Sequence, residues 1–304
     1  MILSYGFSDV GSSHTKKDAV CQDSNKILTL ENGSVIAAIA DGVGSCRYSD
    51  ESSKIAVETA ATYCAKEIEG SNGVDLIAII EKSFTLAERA IDELSLSRNH
   101  LQTEYDTTLS LVIYDGKTVT YGHCGDGGII GLSKSGDYIK VTEPQKVDGL
   151  YVLPLRDKSR WVFGSHEEEI VSVLLATDGV YDTFFPYLLK GQPVEVYIPL
   201  IRYFMDNNIV KATAKNIDEI GKERRDFINS EACASITDDK TLVVLIADDR
   251  AAEIKDEAYY KEPDWDSLQQ EWNKKAYPHL YKDEEKMIDN EIDEAKPSAQ
   301  SDPG

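Results

Sequence analysis

The chain has 304 residues, 41% of them hydrophobic, which is enough for one large folded domain or two ordinary ones and too apolar for a disordered chain. Its 54 acidic and 32 basic residues give a formal charge of -22, so a nucleic-acid backbone would be repelled over most of the surface. No apolar run reaches the roughly 20 residues of a membrane helix, the amino terminus lacks a basic start, and the five cysteines form no Cys-x-x-Cys pair. The expectation is a cytoplasmic chain with reduced thiols and no membrane or nucleic-acid partner.

In chain order, the first β-rich apolar segment is residues 35–40. Residues 52–97 follow, with Ile55, Ala56, Thr59, Ala60 and Tyr63, then Leu76, Ile79, Ile80, Phe84, Ala87 and Ile91 at helical spacing, which predicts two amphipathic helices. Residues 109–114 and 119–123 read as strands joined by an Asp115-Gly116-Lys117 turn. Residues 171–176 and 242–247 are further strands. Between them, residues 187–230 carry Leu200, Ile201, Phe204, Ala214, Ile217 and Ile220 and read as a helical insertion, serving either substrate selection or scaffold packing. Strands, two helices and more strands predict a layered α+β domain with antiparallel sheets.

After Asp248 the chain turns rich in Asp, Glu and Lys, which puts a domain boundary near 250 and leaves 251–304 as an acidic tail. Its charge reads as a solvated appendage, but Trp265, Trp272, Tyr277, Leu280 and Tyr281 make it too aromatic for a pure spacer, so it is expected to dock on this domain or on a partner. Residues 297–304 are expected to be disordered.

The informative pattern is the placing of aspartates at strand ends. Asp41-Gly42 follows the strand ending at Ala40, Asp178-Gly179 follows Ala176-Thr177, Asp126 follows Cys124-Gly125, and Asp238 precedes the last strand. A carboxylate beside a buried strand is costly unless compensated, and one bound cation compensates several. Glycine after aspartate also lets a backbone carbonyl approach a ligand. A single Asp-Gly is first of all a turn.

Gly11-Ser12-Ser13-His14 with Gln22-Asp23-Ser24, Ala40-Asp41-Gly42-Val43-Gly44, Thr107-Thr108-Leu109, Gly125-Asp126, Thr177-Asp178-Gly179 with Asp182, and Thr237-Asp238-Asp239-Lys240-Thr241 form an ordered set. Over residues 4–248 that set resembles the type 2C, metal-dependent serine/threonine protein phosphatases, and is most similar to their bacterial branch. The resemblance implies a central sandwich of two antiparallel sheets flanked by helices, a four-layer αββα arrangement, with Mg²⁺ or Mn²⁺ at one end. It implies that Asp41 bridges two main ions, that the Gly42 carbonyl, Asp178 and Asp238 complete their ligands, that Asp23 acts through water, and that Asp126 and Asp182 hold a third, weaker ion. The implied reaction is hydrolysis of phosphoserine or phosphothreonine in a phosphoprotein, the target of a serine/threonine kinase, by a water activated between two ions.

The sequence departs from that pattern where an arginine commonly holds the substrate phosphate. Asp18 stands there, and Lys16, Lys17 or His14 could supply the positive charge. His14 is a candidate for phosphate binding or leaving-group protonation beside a structural role, since Val43 stands where some relatives carry a histidine. Asp106 replaces a usual glycine before Thr107, and Gly127-Gly128 follow Asp126 in place of a frequent Ser-Arg. A catalytically silent metal- or partner-binding module on the same fold is the alternative; it would be expected to have lost ligands.

Overall fold

The apolar run of residues 35–40 carries no polar face because both of its faces are covered. In the computed structural model, which describes residues 1–15, 20–70, 73–147 and 151–280, Val35, Ala37 and Ile39 pack against a second sheet, while Ile36, Ala38 and Ala40 pack against helices. The chain runs β1 (Ile2–Asp9), α1 (Ser12–Thr15), β2 (Ser24–Thr29), β3 (Val35–Ala40), α2 (Ser49–Glu69), α3 (Leu76–Ser97), β4 (Leu109–Tyr114) and β5 (Val119–Cys124). It continues through β6 (Gly128–Ser133), β7 (Tyr138–Lys140), β8 (Lys146–Val147), β9 (Tyr151–Val152), β10 (Val162–His166), β11 (Ile170–Ala176) and α4 (Asp178–Phe184). The remaining elements are α5 (Ile198–Met205), α6 (Asn207–Val210), α7 (Ile217–Ile228), β12 (Lys240–Ala247) and α8 (Trp265–Ala276).

Two five-stranded sheets, ordered β1-β12-β11-β6-β7 and β10-β5-β4-β3-β2, stack face to face, and β8 and β9 form a separate ribbon. Their pairings are antiparallel. Val112, Tyr114, Val173, Leu175, Val243 and Leu245 fill the space between the sheets. On one outer face, α2 and α3 bring Ala56, Ala60, Cys64, Ile80 and Phe84 against β3 and β4. The architecture is the four-layer α+β sandwich that the sequence predicts.

The other outer face is covered by residues 178–228. Ile198, Ile201, Phe204 and Met205 of α5 and Ile220 and Ile228 of α7 join Leu3, Tyr5, Leu174 and Val244 in one buried cluster. The helical insertion of 187–230 is thus the fourth layer of the scaffold. Tyr5 anchors it further, since its hydroxyl donates to the Phe204 carbonyl at 2.7 Å.

Contacts continue past residue 250, where the composition changes. Ala252 is buried, and the Glu253 amide donates to the Lys134 carbonyl at 2.8 Å. Trp265 and Trp272 of α8 meet Tyr197 and Tyr187 edge to face, with centroids 5.2 and 5.5 Å apart. Tyr281 and residues 297–304 lie outside the described residues. Among the described residues no helix is long and apolar enough to cross a membrane.

Phe204→Ala is expected to lower stability by about 3–5 kcal/mol in urea unfolding, as for a fully enclosed core phenylalanine; a loss below about 1 kcal/mol would mean that α5 is not part of the core. Replacing Trp265 and Trp272 together by alanine should bring the α8 amides to the exchange rate of unstructured peptide while β12 stays protected. Unchanged protection of α8 would show that the two rings do not hold it.

Candidate active site

Strand register gathers the aspartates. Leu109 pairs with Cys124, Ser110 with Ile39, and Leu242 with Ala176, so the carboxyl ends of β3, β5 and β11 and the amino end of β12 lie at one end of the sandwich. Each hands over to an acidic residue. Asp41, Asp126, Asp178 and Asp238, with Ser13, His14, Gly42 and Thr108, line a cleft of about 340 Å³ there.

The loops are tied to one another by short hydrogen bonds. The Asp41 amide donates to Thr108 Oγ1 at 2.8 Å, and the Asp41 carbonyl accepts from the Thr108 amide at 2.8 Å and Thr107 Oγ1 at 2.9 Å. Gly42 bridges to Thr107 and donates its amide to the Gln22 carbonyl at 3.1 Å. A Cβ at Gly42 would stand 2.5 Å from the Ser49 carbonyl oxygen, and one at Gly179 would stand 2.3 Å from that of Asp239, so both Asp-Gly pairs permit a close backbone approach. Asp106 accepts two hydrogen bonds from the Arg156 guanidinium, while its own carbonyl accepts from the Val43 amide at 3.0 Å. The carboxylate that replaces a usual glycine therefore ties Arg156 to this loop, while the backbone carbonyl of the same residue holds Val43.

Carboxylate oxygens of Asp41, Asp126 and Asp178 come within 4.8 Å of one another. Burial, then the charges of Asp23, Asp178, Asp126 and Asp238, drive the Asp41 pKa well above the ordinary carboxylate value. Burial and Asp178 push Asp126 up to about 7, although Lys146 opposes them. Burial pushes Asp23 up to about 8; the Thr177 hydroxyl opposes this and Asp239 adds to it. Asp238 is raised as well, by burial and by Asp178.

Asp23 is buried, with Oδ2 accepting from Thr177 Oγ1 at 2.7 Å and Oδ1 lacking a hydrogen-bond partner. An orphaned carboxylate oxygen beside a crowd of like charges is a site for a cation or water. All the donors are hard oxygens, the kind Mg²⁺ and Mn²⁺ prefer, so the residues fit such ions. Asp182 follows Asp178 by one turn of α4, but its side chain is 64% exposed. The structure groups Asp126 with Asp41 and Asp178, and Lys146 Nζ lies 3.9 Å from Asp126 and 3.5 Å from Asp182, the two residues expected to share a third ion.

His14 lies on α1 with Nδ1 2.9 Å from Asp239 Oδ1. Facing a carboxylate, Nδ1 carries the proton, which leaves Nε2 for the cleft. Asp239 also accepts from the Gly11 amide at 2.7 Å and the Gln22 amide at 2.6 Å, so one carboxylate fixes the loops that carry His14 and Asp23. Lys16 and Lys17 lie outside the described residues. Two residues escaped the sequence reading: Asp239, whose role was hidden beside Asp238 in the same motif, and Lys146, a lone lysine with no local signal. Burial favours the neutral amine of Lys146, yet Asp182, Asp178 and Asp126 outweigh it and raise the ammonium pKa.

Comparison with known proteins adds family membership to this geometry. The family model described as protein phosphatase 2C matches residues 10–220. Serine/threonine-protein phosphatase 3 of Escherichia coli (strain K12) is 24% identical over 255 residues, covering 79% of this chain and 96% of that protein. Among solved structures, the S. agalactiae serine/threonine phosphatase superposes with a TM-score of 0.60 at 16% identity, over 81% of this chain and 99% of that one. The catalytic domain of the serine/threonine phosphatase PstP, solved with two manganese ions, superposes with a TM-score of 0.55 at 16% identity, over 81% of this chain and 97% of that one. With the ordered aspartate motifs, the sandwich and the matched family model in agreement, the chain belongs to the protein phosphatase 2C family of serine/threonine protein phosphatases.

Proposed function

We propose that the chain hydrolyses phosphoserine and phosphothreonine in a protein previously modified by a serine/threonine kinase, with water as the nucleophile. Mg²⁺ or Mn²⁺ would be held by Asp41, Asp178, Asp238 and the Gly42 carbonyl, with Asp23 and Asp126 beside them. The observation that carries this reading is the meeting of Asp41, Asp126 and Asp178 oxygens within 4.8 Å, in a setting that raises the Asp41 pKa well above its ordinary value. The manganese ions of PstP support the same donor chemistry here. The five free thiols suit a reducing, cytoplasmic setting.

Phosphate monoesters hydrolyse extremely slowly unaided, because the attacking water is a poor nucleophile and the phosphoryl group is already anionic. Ions bound at such a site acidify water and neutralise phosphoryl charge. The chain's own residues do the rest. Thr108 and Thr107 hold the Asp41 backbone, and Asp239 holds His14 at Nδ1. Nε2 of His14 is then the group that can hold a proton for the departing seryl or threonyl oxygen.

Asp41→Asn separates charge compensation from folding. In the metal-free wild type, folded carboxyls retain protons up to about 7 for Asp126 and about 8 for Asp23, whereas unfolded aspartates lose them near pH 4. Their contribution to stability is therefore complete below about pH 4 and is lost as pH rises through about 7 to 8. Asp41→Asn should weaken that pH-dependent loss and leave the metal-free protein at pH 8 at least as stable as wild type. It should also abolish most of the Mn²⁺-induced rise in Tm, which for wild type corresponds to about 2.7 kcal/mol at a hundred times Kd, and lower turnover more than tenfold. A variant that keeps both the Mn²⁺ shift and the turnover contradicts the assignment.

His14→Gln should slow a phosphoserine peptide by about 10²–10⁴ while slowing a nitrophenyl phosphate far less, because nitrophenolate leaves without a proton. Equal losses on the two substrates would assign His14 to positioning instead of proton donation.

A further inference from the structure

Lys146 lies on β8, in the ribbon beside the cleft, and no motif in the sequence points to it. Its Nζ stands 3.5 Å from Asp178 Oδ2, 3.5 Å from Asp182 Oδ2 and 3.9 Å from Asp126 Oδ2. The three carboxylates come from two segments, the turn after β5 and the first turns of α4, and all three lie within ion-pair distance of the ammonium. Asp182 is the informative member. Although its side chain is 64% exposed, it lies as close to Nζ as Asp178 does.

We propose that Lys146 is a tethered cation of the outer site: its ammonium takes the position among Asp126, Asp178 and Asp182 that a further divalent ion would need, so the chain binds its metals only at the inner position. The proposal rests on the metal-dependent phosphatase reading given above. A divalent ion brought to Asp126 and Asp182 would meet a like charge within a few ångströms, in a partly buried place where salt screens poorly. The two cations therefore exclude each other. A lysine suits this role better than a phosphate clamp, because it offers a compact point charge on a flexible stem rather than a planar fork. Lys146 is a positioning residue in this account: it compensates Asp126 and Asp178, and it couples the β8–β9 ribbon to the metal ligands.

Calorimetric titration of the full chain with Mn²⁺ tests this without reading activity. Wild type, Lys146→Arg and Asp182→Asn are each expected to take up about two Mn²⁺ per chain, the number of a paired-metal site. Lys146→Gln should gain one additional, weaker ion, and that gain should vanish in Lys146→Gln combined with Asp182→Asn. Three ions in wild type with one lost in Asp182→Asn would overturn the proposal and leave the phosphatase reading intact. So would an unchanged stoichiometry in a Lys146→Gln protein with a normal thermal transition. No Mn²⁺ bound by wild type would overturn both. If Lys146→Gln does not fold, the Asp182→Asn arm still decides: an unchanged count supports the tethered cation, and the loss of one ion refutes it.

Discussion

Like charges crowded into one partly buried cleft are the constraint on which the rest of the structure depends. Asp41 is surrounded by Asp23, Asp178, Asp126 and Asp238, and without compensation their charges add to burial in disfavouring its ionised form. Taking a carboxylate out of water costs several kcal/mol even after relaxation. A fold does not assemble such a group for stability. On the proposed function it holds the group in readiness for cations, and the surrounding architecture can be read as the means of keeping the carboxylates in place against their repulsion.

That means is mostly backbone. Two stacked antiparallel sheets bring four strand ends to one place, and the threonines next to the aspartates bind the loops with hydroxyls instead of further charges. Asp239 is the exception, a buried carboxylate satisfied by two amides and the His14 ring. Because its hydrogen bonds are used within the protein, it serves as a clamp where its neighbour Asp238 lines the cleft. The same economy explains Gly128, where a Cβ would stand 2.2 Å from the Tyr181 ring of α4, the helix that carries Asp178. The replacement of a frequent Ser-Arg by two glycines thus has a packing cause.

What was legible in the sequence follows from which faces are covered. Residues 35–40, 109–114, 171–176 and 242–247 read as strands because helices lie on one side and a sheet on the other, leaving no polar alternation. The paired helices were legible from their spacing. β2 was not, since it lies at a sheet edge with Ser24, Asn25 and Lys26 partly open to water, and β6 was not, since Gly128 and Gly131 dilute its apolar pattern. The residues of the aspartate motifs were legible as a set because Asp-Gly after an apolar strand is an uncommon combination when repeated. Periodicity could not tell whether residues 187–230 cover a sheet; burial of Ile201, Phe204 and Ile220 shows that they do. Lys146 was invisible because its partners are distant in sequence, and only the fold brings them to its ammonium.

The central claim is that this cleft uses cations held by aspartates to direct water at a phosphoester. The most direct measurement is a single turnover of the Mn²⁺-loaded chain on a phosphothreonine peptide in ¹⁸O-labelled water. The account requires each released phosphate to carry one solvent oxygen and no phosphate to remain on the protein after acid quench. Phosphate retained on a side chain, or release with no solvent label, would contradict it.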